Sequence, residues 1–280
     1  MGNLLKIAKK EFQDLLSSKI VLIILIGYSF VILCQIYFIY NSLSDGMGET
    51  RLEYDALGMA FANRLFSILT DSYGPILGIM IGCASIASER HGNALNTLIA
   101  KPLYRDTIIN GKLLGSMAFL ALFICATIIF YTSSLLILFG DAFAPTFSDY
   151  LSRLPVIFAL SILLIGIFMA LSMLLAILIK SQAFAMVMST IVLYVSINIE
   201  NLARPLSRMM FPAQEIQAYN LIINSIPTGY LKPLRDTIFS ISIDGWDAFQ
   251  LVLPDVFKFA LFLFIACFFC YISFLLRDVS

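Results

Sequence analysis

The sequence predicts an all-α integral membrane protein. It should have six transmembrane helices, an N-terminal interfacial amphipathic helix, a short cytoplasmic helix and short outer-side helices before the last span. Three observations predict this class. The 280-residue chain is 60% hydrophobic and only 13% charged, with a mean hydropathy of +0.92, whereas ordinary domains are about half apolar and roughly a quarter charged. Continuous apolar runs of about 20 residues, enough to cross the hydrocarbon core, recur along the chain. The short alternating segments of a membrane barrel are absent.

The first element, residues 1–19, contains NLLKIAKKEFQDLLSSK. At helical spacing Leu4, Leu5, Ala8, Phe12, Leu15 and Leu16 form one face, and Lys6, Lys9, Lys10 and Gln13 the other. Such a helix lies in the membrane interface with its lysines toward headgroups. The apolar run from Ile20 to Tyr40 is followed by no small-x-small cleavage pattern, so it reads as a retained first span. Further spans are expected at 65–88, 110–139, 154–179, 183–200 and 256–276, within a single transmembrane domain over 1–280. Asp71 falls inside the second, which moves its start toward Tyr73.

That second span carries Gly74, Gly78 and Gly82, a repeated G-x-x-x-G. Apolar side chains gain little from one another in lipid, so close backbone approach at small residues drives helix packing. The stripe marks a helix contact, within one chain or across a dimer. Two larger outer loops follow from the span positions, at 41–64 and 201–255. The second mixes apolar patches with prolines and can form short helices that dip into the leaflet against protein.

Orientation follows from lysine and arginine. With six spans both termini share a side. That side collects Lys6, Lys9, Lys10, Lys19, Arg90, Lys101, Arg105, Lys112, Lys180 and Arg277, ten of the eighteen basic residues. The positive-inside rule therefore places both termini in the cytoplasm.

The stretch 88–106, SERHGNALNTLIAKPLYRD, interrupts two apolar runs on that side. Ala94, Leu95, Leu98 and Ile99 make one face of a short helix over 92–101. Pro102 ends it, and Asp106 suits the N-cap of the next span. So short a helix does not persist alone; it rests either on lipid or on a partner protein.

Charge and motifs exclude several functions. The formal net charge is zero, which argues against nucleic-acid binding. A single histidine, His91, rules out a multi-histidine metal centre. Gly111-Lys112 is followed by Leu113 without the upstream glycine of a P-loop, so the chain is not read as holding ATP itself. Ion-coupled carriers usually show ionisable residues at mid-span, and here Asp71, Glu200 and Lys258 lie toward outer ends. The five cysteines, Cys34, Cys83, Cys125, Cys267 and Cys270, all lie in apolar runs. Cys267 and Cys270 form C-x-x-C, either two small residues of a span or a metal or redox pair with no His or carboxylate nearby.

At this point the sequence resembles the type 2 ATP-binding-cassette permeases, the six-span subunits of ABC exporters. Their pattern after the second span is an acidic residue, Gly-Thr-Leu, two apolar residues, a proline, an arginine and a Gly-Lys pair. The counterparts here are Glu89, Leu95, Leu98, Ile99, Pro102, Arg105, Gly111 and Lys112. Asn93-Ala94 replaces the Gly-Thr pair, with Gly92 one place early; Asn accepts left-handed backbone nearly as readily as Gly. The resemblance implies a permease without catalytic activity of its own. It would dimerise as a homodimer or heterodimer and export a substrate across the plasma membrane. ATP and Mg would be bound by a separate ATPase subunit. It also implies that the 92–101 helix is the coupling element, with Glu89, Asn93, Leu95, Leu98, Ile99, Pro102 and Arg105 at the contact. A polytopic membrane enzyme and a membrane anchor or sensor for an associated complex are the alternatives. The 24 Phe, 12 Tyr and 11 Met would give any pathway an apolar, adaptable lining, which favours lipids, peptides or drugs over ions.

Overall fold

In the computed structural model, residues 2–46, 57–71, 73–91, 105–179, 181–210, 214–240, 243 and 245–276 are described. All regular structure among them is helical. The helices are α1 (Gly2–Ser17), α2 (Lys19–Gly46), α3 (Leu57–Thr70), α4 (Tyr73–His91), α5 (Arg105–Phe143), α6 (Phe147–Leu178), α7 (Gln182–Ile197), α8 (Ile199–Met210), α9 (Glu215–Asn224), α10 (Leu231–Ile238) and α11 (Gly245–Leu275). Short 3-10 turns at Ala144–Thr146 and Pro227–Tyr230 introduce α6 and α10. Four stretches are long and apolar enough to cross a membrane: Val21–Ile39, Leu57–Ile86, Asp106–Leu178 and Gly245–Leu275. The third consists of α5 and α6 in succession. The pair α7 and α8, bent by 73° at Asn198, passes the same test together.

Helix α6 is the central post. Leu160, Leu164, Ile165, Met169 and Met173 are wholly buried along it, and α3, α4, α5, α7 and α11 pack around it. The glycines of α4 explain how closely two backbones approach. A Cβ on Gly78 would lie 2.7 Å from the Ile165 carbonyl oxygen, and one on Gly82 would overlap Ser172 and the Met169 carbonyl. A Cβ on Gly58 of α3 would overlap Thr146. Residue numbers rise together along both partners, so α3 and α4 run parallel to α6. We call the end of the bundle carrying α1 basal and the opposite end distal.

Several bounds differ from the sequence expectation. The second apolar segment starts at Leu57, not 65 or 73, and comprises two helices, one ending at Thr70 and the next beginning at Tyr73. Leu57, Phe61, Leu65 and Leu69 of α3 recur at four-residue spacing and are buried against protein. Lipid-facing helices need apolar residues all round, whereas α3 needs only one such face. Helix α5 begins at Arg105, so Asp106 lies in its first turn rather than at its N-cap; a carboxylate still suits the positive end of the helix there. At 39 residues α5 is about 58 Å long at 1.5 Å per residue, against a hydrocarbon core of about 30 Å. Its distal end, kinked at Phe139, packs with α3 and the start of α6. Phe61, Phe139, Phe143, Phe147 and Tyr150 fill this distal head, with ring centroids 5.2–6.3 Å apart. The 201–255 region is largely helical, and the final helix starts at Gly245 rather than near 256.

Candidate functional site

Helix α4 ends at His91 and α5 begins at Arg105, both at the basal end of the bundle. Glu89 lies in the last turn of α4, and Arg105 is the first residue of α5. Asn93, Leu95, Leu98, Ile99 and Pro102 lie outside the described residues. What the structure describes is how the two roots of this segment are held.

They are held by α1. Two glycines of α5 admit it: a Cβ on Gly111 would lie 2.7 Å from Ile7, and one on Gly115 2.6 Å from the Ala8 carbonyl oxygen. At this closeness Glu11 of α1 is only 7% exposed and Lys112 of α5 only 1%. Lys112 Nζ donates to Glu11 Oε2 at 2.7 Å and to the Ser85 carbonyl oxygen of α4 at 2.8 Å. The Ser85 hydroxyl donates to Glu11 Oε1. Three helices thus share one buried ion pair with both carboxylate oxygens engaged. Removing one partner of such a pair typically costs 3–5 kcal/mol, because the other charge stays buried and uncompensated.

Glu11 was not legible as a site residue, although it sits among Ala8, Phe12 and Leu15 on the arc that is buried. The actual buried arc of α1 is rotated from the one expected. Ala8, Glu11 and Leu15 face protein, and Leu5 and Leu16 are exposed at its edge. A carboxylate in an apolar arc is the signal that points to such a buried pair.

The glycine stripe forms a contact inside the chain. Gly78 and Gly82 face α6, and Gly74 sits so close to the Leu69 carbonyl that a Cβ there would overlap it. Gly74 therefore serves the break between α3 and α4 as much as the packing against Ile165.

The distal end carries a second polar cluster. Asp71, at the break, pairs with Arg235 of α10 and accepts from the Ser67 hydroxyl. Arg153 of α6 is 1% exposed. Its guanidinium donates to the carbonyls of Ile238, Ser240 (3.4 Å) and Ile243 (2.8 Å), which cluster at the C-terminal end of α10. A cation there complements the negative end of the helix. Thr228 donates to the Ser196 carbonyl of α7 at 2.6 Å, and Lys258 of α11 lies 4.6 Å from the centre of the Tyr230 ring. The 228–238 stretch is thereby tied to the distal ends of α3, α6, α7 and α11.

Among the described residues the buried charged side chains are Glu11, Lys112 and Arg153, at the two ends of the bundle rather than its middle. No group of three or more His, Cys, Asp or Glu side chains that could hold a metal occurs among them. Cys267 is half-buried and Cys270 buried, both as free thiols. A cavity of about 340 Å³ between α2 and α5 is lined mainly by apolar side chains, including Leu25, Ile32, Phe119, Phe123 and Phe130.

No curated protein matches the chain. A family model described as ABC-2 family transporter protein matches residues 5–279, nearly the whole length. The match runs from α1 through every described helix to beyond α11. It agrees with an all-helical membrane bundle. The chain belongs to the ABC-2 transporter family and is a type 2 permease of the ATP-binding-cassette kind.

Proposed function

We propose that the protein is the membrane subunit of an ABC exporter, moving an apolar or amphipathic cargo with ATP hydrolysed by a separate ATPase. In this reading the basal end is cytoplasmic and both termini lie there. The 92–101 helix presses Leu95, Leu98 and Ile99 into a groove of the ATPase. Glu89, Asn93, Pro102 and Arg105 shape its two roots. Two copies of the chain face each other through the first and fifth spans in the plasma membrane, enclosing the pathway between them.

The observation that carries this reading is the anchoring of the segment. Helices α4 and α5, which residues 92–104 connect, are fixed to α1 by a buried ion pair close to that connection. A segment meant only to rest on lipid needs no such mounting. Leu98→Asp tests it. Burying a leucine is worth about 1.5–3 kcal/mol, and placing a charge there costs at least as much. The variant should insert normally and lose both ATPase association and transport. Equal recovery of the ATPase with wild type and variant would reject the coupling role.

A further inference from the structure

We propose that Glu11 is a positioning residue for energy coupling, an inference that rests on the reading of 92–101 as the ATPase contact. By holding Lys112 and Ser85 at once, it joins the roots of α4 and α5 to each other and to α1. Movement of the suspended segment then enters the bundle as a displacement of three helices together.

The geometry carries the argument. Ser85 lies four residues before Glu89, and Lys112 seven after Arg105, so the clasp sits about one turn above one root and two above the other. Both oxygens of Glu11 are used, one by each helix. Lys112 in turn reaches across to the backbone of α4. Each helix is therefore bonded to both others. Apolar side chains of similar volume would hold three helices together as well, and buried ion pairs are often replaceable by them without loss of stability. What apolar packing does not supply is fixed direction: three charge-assisted hydrogen bonds define one arrangement of the roots, whereas apolar side chains slide.

This contrast makes the proposal testable apart from folding. Glu11→Gln alone takes the carboxylate away from the buried Lys112 ammonium. The double variant Glu11→Gln with Lys112→Met removes both charges, and with them most of the stability penalty. A merely structural role requires the double variant to regain function with stability. A positioning role requires it to be stable and uncoupled.

The experiment uses the full permease–ATPase complex in lipid nanodiscs, with ADP and vanadate as the probe and hydrogen exchange of 231–238 as the readout. These distal amides report whether a nucleotide-driven change crosses the bundle, and no cargo is needed. In wild type, vanadate trapping should change their exchange rate several-fold. In the double variant the ATPase should still co-purify and hydrolyse ATP, and the distal change should fall to less than a tenth of the wild-type value. Glu11→Asp, which keeps the charge, should retain most of it. A double variant that responds like wild type overturns the proposal, as does a wild type whose distal amides ignore trapping. Failure of the wild-type chain to recover any ATPase overturns the coupling reading itself and removes the proposal with it. The two failures are distinguishable because the second is seen before nucleotide is added.

Discussion

Gly78→Ala is the smallest change that should break the central packing of the bundle. The added Cβ would lie 2.7 Å from the Ile165 carbonyl oxygen and 2.9 Å from its Cγ2. Ordinary contact begins near 3.4 Å, so α4 must retreat from α6 by about 0.7 Å. Neither neighbour yields easily, because Ile165 is wholly buried and its carbonyl belongs to the helical backbone. Overpacking of this kind typically costs about 1–3 kcal/mol. Alanine regains about 1 kcal/mol over glycine from helix propensity, which leaves a net loss of up to about 2 kcal/mol. At about 2–4 °C per kcal/mol the midpoint should fall by up to about 8 °C. Thermal unfolding in detergent, followed by a thiol-reactive dye, is the assay. Cys83, buried beside Gly82, reports the opening of this interface. Gly27→Ala is the control, since nothing lies within 4 Å of its added Cβ, and it should be neutral or slightly stabilising. An unchanged or raised midpoint for Gly78→Ala, with Cys83 still protected, would refute the close-approach argument. Gly78→Leu should behave as a stronger version and fail to assemble.

Further expectations concern the distal end and the topology. Arg153→Met removes the donor to the Ile238 and Ile243 carbonyls and should cost about 2–4 kcal/mol, with faster hydrogen exchange across 231–243 as the check. Asp71→Asn weakens a partly exposed pair with Arg235 and should cost about 1 kcal/mol or less; the difference from wild type should shrink in high salt, and a salt-independent difference would assign the loss to the break rather than the charge. Cysteine labelling in intact cells should place position 180 and both termini inside and positions 45 and 220 outside. Labelling of position 45 from the cytoplasm would overturn the six-span arrangement.

The fold class was legible because hydropathy averages over a window, and averaging is all that a lipid-facing helix requires. The glycine stripe was legible for a similar reason: its spacing alone puts three small residues on one face. What escaped the sequence depends on partners far along the chain. Glu11 meets Ser85 and Lys112 at separations of 74 and 101 residues, and no local pattern encodes them. Lys112 counts in the sequence as a basic residue for topology and as half of the Gly-Lys pair, and neither reading points to Glu11. Helix α3 was missed because its polar side, with Asn63 and Arg64, lowers the average, while the buried Phe61, Leu65 and Leu69 side is what matters. Arg153 has no local signal of its role, because its carbonyl partners lie more than 80 residues away. Helix α5 is longer than the apolar run 110–139 because polar residues flank that run, whereas the helix continues with Ile108, Ile109 and Phe143 buried against protein.

The division of the second apolar segment into helices ending at Thr70 and beginning at Tyr73 has a mechanical consequence. A continuous rod from Leu57 to His91 would act as a lever, and any tilt at its foot would swing its tip. Here the rod is jointed, and the upper piece is moored in the aromatic head by Phe61. Each of the two pieces instead has a glycine contact of its own, Gly58 against Thr146 and Gly78 against Ile165, so head and basal half are fixed separately to the same neighbour.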